Sequence, residues 1–341
     1  MPHLVAAPDK FRGTASAAEV AGAIAGAARA AGWTAMEIPM SDGGEGLLEA
    51  LGGEIMTTTV PGPLGAPVAA DWRLLPSAEG RGGPTAVIEM SRAAGRALLP
   101  HPRHDDPLTA DTAGVGLLLL AARDAGATRI VIGCGGSATT DGGWGAVQAV
   151  GPPDALASVE LVVACDVTTP FRRAAAIFGP QKGASPAQIA LLADRLGSLS
   201  DRYRRDFGVD VDALPGAGAA GGLAGGLAAL GARLAPGFDL VADLTALPHA
   251  IDGADLVVTG EGHLDPPSFE GKVPGGVLAL AQGRCPVLCI VGAADSGVLG
   301  SPPPGIDIVS LTARYGGARA RHETVALVAE VTAGALARFS P

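Results

Sequence analysis

The stretch R-I-V-I-G-C-G-G-S-A-T-T-D-G-G-W-G-A, residues 129–146, decides how the rest of the chain is read. A β-branched run, Ile130 to Ile132, gives way to glycines at 133, 135 and 136, then to Ser137, Thr139, Thr140 and Asp141, and then to Gly142 and Gly143 ahead of an apolar, helix-like segment. The pattern predicts a buried strand that delivers a polar, Gly-rich loop. In an open parallel α/β sheet such loops lie beyond the carboxyl ends of the strands, where ligands bind. Glycine lets a backbone approach a ligand closely, and hydroxyls with a carboxylate can hold a phosphate and a metal ion. A single loop of this kind is equally what a tight strand-to-helix turn demands, so the weight falls on whether the design recurs.

It does recur. Leu4 to Ala7 runs into P-D-K-F-R-G-T and a helix expected from about Ser16 to Ala31, with Ser16 and Glu19 spaced as a capping box. Met36 to Pro39 runs into S-D-G-G-E-G at 41–46. Val87 to Met90 ends at Ser91 and Arg92, Leu161 to Cys165 at Asp166, Leu256 to Thr259 in G-E-G-H-L-D, and Val287 to Val291 in G-A-A-D. Residues 57–60 and 68–75 flank a P-G-P-L-G turn and predict an antiparallel excursion or a crossing between domains. Helices are expected over 111–125, 185–197 and 323–339, with the charged stretch 201–212 solvated. Strands that alternate with helices imply parallel sheet, and parallel sheet sets these polar ends on a common rim. The expectation is an α/β protein of two lobes with mainly parallel sheet, one of them Rossmann-like, and an active-site cleft between them. Residues 1–85 with 265–341 are expected to form one discontinuous lobe, and 86–264 the second.

The 341 residues are 48% hydrophobic, enough to fill two cores. A formal charge of -10 and a pI near 5.0 oppose binding to nucleic acid or anionic membrane, so the ligand is expected to be a small molecule. Cys134, Cys165, Cys285 and Cys289 lack the paired spacing of a zinc site and read as free thiols. The start, M-P-H-L-V-A-A-P-D-K, has no signal-peptide pattern, and no run reaches the roughly 18 apolar residues of a membrane span, which gives a cytoplasmic expectation. Oligomeric state is not fixed by the sequence.

Carboxylates gathered near glycine loops and a few lysines suit Mg-nucleotide chemistry, which chiefly needs positioning, charge neutralisation and a carboxylate facing the acceptor hydroxyl. Neither a Walker A loop nor the kinase pair H-R-D and D-F-G occurs. By residue type, Asp42, Asp141, Asp166 and Glu261 are the candidates for acceptor-hydroxyl and metal duties, with Asp141, Asp166 and Glu261 as metal ligands and Lys10 as a further catalytic residue. Lys10, Lys182 and Lys272 are candidates for phosphate or carboxylate contact, and Ser137 and Thr139 for phosphate. Gly216, Gly218, Gly221 and Gly222 would admit nucleotide or, on the alternative, close helix packing. The first three of these glycines spell G-x-G-x-x-G, with Asp239 about where a ribose-binding acid would fall; V-D-V-D-A-L-P in front of them is not an apolar strand, which demotes a dinucleotide site.

With these motifs assembled, the chain resembles the bacterial glycerate kinase family, the type with two α/β domains and no Walker motif. The resemblance is carried by A-P-D-K-F-R-G-T at 7–14, P-M-S-D-G-G-E-G at 39–46, V-I-E-M-S at 87–91, G-G-S-A-T-T-D-G-G at 135–143 and A-C-D-V at 164–167. F-G-P-Q-K-G-A at 178–184, L-P-G-A-G-A-A-G-G-L at 214–223, T-G-E-G at 259–262 and G-K at 271–272 complete it. It implies ATP-dependent phosphorylation of glycerate with Mg²⁺. The sequence departs from the family pattern at Leu47 and Thr140, where Thr and Asn are usual, at Thr168 and Thr169, which replace an Asp-Asn pair, and at His263, which replaces an Arg. Arg to His exchanges a fixed bidentate charge for a group neutral near pH 7. Three readings follow: a glycerate kinase, a divergent member that acts on another hydroxy acid or only binds nucleotide or a small acid, and, third, a dinucleotide-binding oxidoreductase.

Overall fold

The computed structural model of the chain describes residues 1–77, 82–99 and 107–339. Its strands are β1 (His3–Ala6), β2 (Thr34–Glu37), β3 (Glu54–Pro61), β4 (Pro67–Leu75), β5 (Thr85–Glu89), β6 (Arg129–Gly133), β7 (Glu160–Ala164), β8 (Arg233–Ala235), β9 (Leu256–Leu264), β10 (Val287–Ala294) and β11 (Ile306–Ser310). They form two sheets, in the orders β11-β10-β9-β1-β2 and β3-β4-β5-β6-β7-β8. The chain separates into two compact units, one of Met1–Asp42, Glu49–Leu51 and Phe238–Pro341, the other of Gly43–Leu48 and Gly52–Gly237. The α/β class with two mainly parallel sheets is as expected.

The first unit holds the five-stranded sheet, parallel throughout. Numbered within the unit, its order is 2-1-3-4-5, the doubly wound arrangement in which the order reverses between β1 and β9. The helix Ala17–Ala30 starts at a capping box in which Ser16 Oγ accepts from Glu19 N at 3.2 Å and Glu19 accepts from Ser16 N at 2.8 Å. Its apolar stripe, Val20, Ala21, Ile24 and Ala28, packs with Leu4 and Ala6 of β1 and with Leu327, Val328, Val331 and Leu336 of the terminal helix Thr324–Phe339.

The second unit holds the six-stranded sheet. Strands β5 to β8 are parallel, and β3 and β4 add an antiparallel edge. This pairing sets residues 54–75 in the second sheet and β9 in the first, whereas the expected lobe boundaries grouped each the other way. Ile88, Ile130, Ile132, Leu161 and Val163 enter a core with Leu118, Leu119, Phe171 and Tyr203. Two elements differ from expectation. The helix that begins at Ser185 does not stop near Gly197 but runs over Pro186–Phe207, because Leu192, Leu196, Leu199, Ser200 and Tyr203 keep one buried stripe while the charges of 201–206 cover its outer face. Strand β8 was not expected at all; three residues carry too little alternation to register.

The glycines at 216–222 are buried and packed against protein. A Cβ on Gly221 would lie 2.0 Å from the Thr139 carbonyl oxygen, and one on Gly222 would lie 2.7 Å from Gly142 Cα, both at positive φ. Gly208, also at positive φ, has open space around it. Gly221→Ala is therefore expected to cost about 3 kcal/mol or more and Gly208→Ala about 1 kcal/mol, read as the shift of the urea midpoint. Equal shifts would show that packing is not what keeps glycine at 221.

Candidate active site

The site is built where the first sheet reverses its order. Beyond the end of β1 the chain continues alongside β9: Ala7 N donates to Val258 O, Asp9 N to Gly260 O at 2.8 Å, and Thr259 Oγ1 to Ala7 O at 2.8 Å. This closeness needs bare backbone. A Cβ on Gly260 would stand 1.9 Å from Ile290 O, one on Gly262 3.0 Å from Arg12 N, and one on Gly292 2.5 Å from Gly262 O. Phe11, buried, closes the loop onto Ala15. The strand ends thus frame a cavity of about 560 Å³ lined by Asp9, Lys10, Arg12, Asp42, Glu261, His263, Lys272 and Arg321 among others.

Two of the cavity carboxylates, Asp9 and Glu261, are costly to ionise. Burial holds the Asp9 carboxyl up at about 6 against the lowering effect of Lys10, whose Nζ lies 3.9 Å away, and the charge of Asp42 adds to the rise. Burial likewise raises Glu261 to about 7, opposed by a hydrogen bond from Ser268 and by Lys272 and reinforced by Asp9 and Asp265. Glu261 Oε1 is buried with no hydrogen-bond partner among the described residues. Lys272 Nζ is 3.8 Å from Asp265, which caps the turn at Pro266–Phe269 by accepting from Ser268 N and Oγ. His263 Nε2 pairs with Asp295 Oδ1 at 3.0 Å. Of the expected residues, Lys10, Asp42, Glu261 and Lys272 are brought together here, and Asp9 and Arg12 join them.

In the second unit the loop after β6 is held by its own acid. Asp141 Oδ2 accepts from Thr112 N at 3.0 Å, Thr112 Oγ1 at 2.7 Å and Gly145 N at 3.1 Å, and Oδ1 accepts from Gly143 N at 3.1 Å. Burial still raises its carboxyl, against those bonds. Lys182 is buried, donates to Thr139 O, and is lowered by burial to about 7 against the pull of Asp141. The Thr139 and Thr140 hydroxyls are buried without hydrogen-bond partners among the described residues. Ser137 is half-buried, and Asp166 is exposed with Oδ1 accepting from Gly237 N at 2.7 Å. Asp141, Lys182 and Gly216, Gly218, Gly221 and Gly222 thus form an interior frame, whereas Ser137 and Asp166 reach the surface at the carboxyl ends of β6 and β7.

Within either unit, no three His, Cys, Asp or Glu side chains among the described residues are grouped as a metal site. Both oxygens of Asp141 are taken up by backbone and hydroxyl donors, which fits a loop anchor better than a metal ligand. Asp9 and Asp42 offer oxygen donors of the kind Mg²⁺ accepts when phosphates and waters supply the remaining ligands. Two positioning residues escaped the sequence. Buried Glu89 accepts from Gly46 N at 2.8 Å and Leu48 N at 3.2 Å and so fixes the end of S-D-G-G-E-G; Thr112 orders Asp141. Glu89 lies within the V-I-E-M-S motif at a strand end, a signal that was available; Thr112 has none.

With this geometry in place, comparison with known proteins is direct. Residues 4–153 and 152–333 match the family described as the glycerate kinase family. The chain is 40% identical to the glycerate 2-kinase of Escherichia coli K12 over 345 residues, covering 90% of this chain and 89% of that protein. It is 38% identical to the glycerate kinase of Halalkalibacterium halodurans over 346 residues, covering 90% of each. A crystal structure provisionally assigned as glycerate kinase 2 of Salmonella typhimurium LT2 superposes with a TM-score of 0.81 at 35% identity, covering 99% of both chains. No helix among the described residues is long and apolar enough to cross a membrane. On this family match and these relatives, the chain belongs to the glycerate kinase family.

Proposed function

We propose that the protein transfers the γ-phosphoryl group of ATP to a hydroxyl of glycerate, with Mg²⁺, giving a phosphoglycerate and ADP. The observation that supports this best is the cavity at the strand-order reversal, where a buried carboxylate with an unpartnered oxygen, Glu261, shares space with Asp9, Asp42, Lys10, Arg12 and Lys272. Glu261 is the proposed base. Ionised above about pH 7, it accepts the proton of the attacking hydroxyl as that oxygen bonds to phosphorus and the bond to the ADP oxygen breaks. Asp9 and Asp42 would hold Mg²⁺, which supplies charge neutralisation on the phosphates when bound. Lys10, Arg12 and Lys272 offer positive charge to the transferring phosphoryl oxygens. In the second unit, Ser137 and Asp166 are proposed as polar groups open to ligand, with Asp141, Thr139, Lys182 and the glycines at 216–222 holding that surface in shape. A cytoplasmic location goes with the use of ATP.

The direct test is ATP consumption with Mg²⁺ against D-glycerate and a panel of hydroxy acids and polyols, with products identified by NMR. A phosphoglycerate is expected; turnover only on another acceptor would replace glycerate, and nucleotide binding without any turnover would favour a binding protein. Glu261→Gln should lower kcat by about 10²–10⁴-fold with little change in the KM for ATP. In the wild type, kcat/KM should rise with pH and level off above about 7, and the variant should lose that limb. Stability has the opposite slope. A carboxyl raised in the folded state binds more protons there than in the unfolded chain, so stability falls as pH rises from the ordinary carboxyl range, about 4.3, to about 7. Glu261→Gln should flatten that fall in urea midpoints. Asp42→Asn should raise the Mg²⁺ concentration needed for half-maximal rate; an unchanged requirement would remove Asp42 from the metal.

A further inference from the structure

We propose that Arg321 is the anchor for the acceptor's carboxylate and makes the enzyme selective for acids over neutral polyols; this rests on the kinase reading of the same cavity. Arg321 lies in the last turn of the short helix Gly317–His322, which follows β11, and lines the cavity that holds Glu261. The other cations on that wall and floor are engaged. Lys10 stands beside Asp9, and Arg12 acts on Asp9. Lys272 stands 3.8 Å from Asp265 and acts on Glu261, and His263 is paired with Asp295. Arg319, two residues earlier, is paired with Glu323 at 2.9 Å and stacked over Tyr315, as is Arg314. The guanidinium of Arg321 forms no ion pair with any described carboxylate, although it borders a cavity with three of them.

An arginine fork matches a carboxylate bidentately and keeps its charge at every relevant pH. His263 cannot substitute, because its ring is already paired and its charge depends on protonation. Lys10, Arg12 and Lys272 are committed to the cavity acids and to the transferring phosphoryl oxygens, which leaves Arg321 for the carboxylate of an anionic acceptor. The residue is exposed, so its replacement does not disturb a core.

The test compares the full-length wild type with Arg321→Ala and Arg321→Lys. Arg321→Ala should raise the KM for D-glycerate by about ten- to a hundredfold, the scale of one charged hydrogen-bonded pair. The KM for ATP and the efficiency on glyceramide, the neutral analogue, should stay within about twofold of wild type, and Arg321→Lys should recover part of the loss. An unchanged KM for D-glycerate, or a rise in the KM for ATP instead, would overturn the assignment. Calorimetric titration with D-glycerate keeps the two ideas apart. If the wild type transfers no phosphate, the kinase reading fails, yet weaker D-glycerate binding by Arg321→Ala still supports the anchor. Equal binding by both proteins, or no binding by the wild type, overturns it.

Discussion

Beyond the end of β1 the backbone runs side by side with β9, and the candidate site depends on how closely it does so. Residues 7–9 hydrogen-bond to 258–260, and Gly260, Gly262 and Gly292 leave no room for a Cβ between the layers. That approach draws Asp9 and Glu261 toward one cavity and strips them of water, which raises both carboxyls. The same burial opposes stability, since each acid is harder to ionise in the folded chain than out of it. The polar, destabilised groups therefore sit together at the switch point of the sheet, as expected of a site selected for chemistry over stability.

The second unit solves a different problem. Its long loop after β6 carries polar residues into the interior, and buried polar groups must find partners. Asp141 answers with four accepted hydrogen bonds, Lys182 with one to Thr139 O, and Tyr203 with one to Gly142 O at 2.9 Å. The glycines of 216–222 then pack onto that loop with no side chain between. Charge here serves shape, whereas in the first unit shape serves charge.

This contrast explains what the sequence could and could not disclose. Strand ends with acids, the antiparallel excursion and the capping box at Ser16 were legible because each rests on a local pattern with its own period or spacing. Asp42, Glu261, Lys10 and Lys272 were legible as a set because parallel strands place such ends on one rim. The differing situations of Asp141 and Glu261 were not, since both read as acids after a strand, and only packing reveals that one carboxylate is saturated and the other has an oxygen without a partner. Glycines pose the same ambiguity, because ligand approach and backbone approach demand the same residue. Thr112 was silent for another reason: it acts through a contact 29 positions away. The helix Pro186–Phe207 was cut short because surface charge was weighed above the buried stripe beneath it.

The first unit is assembled from both ends of the chain, and this has a consequence for synthesis. The hydrogen bond from Thr259 to Ala7 spans 252 positions, and β11 ends at Ser310. As the chain emerges from the ribosome, β1 and β2 are made before the second unit but lack their neighbours β9 to β11 until that whole unit has followed. The second unit, almost contiguous over 52–237, has all its strands long before that. Loop closure of this length slows pairing and leaves early strands with open edges. The chain must therefore carry this β-α-β segment without its later neighbours while the second unit is made, and the cavity at the strand-order reversal comes into being only after that unit has its strands.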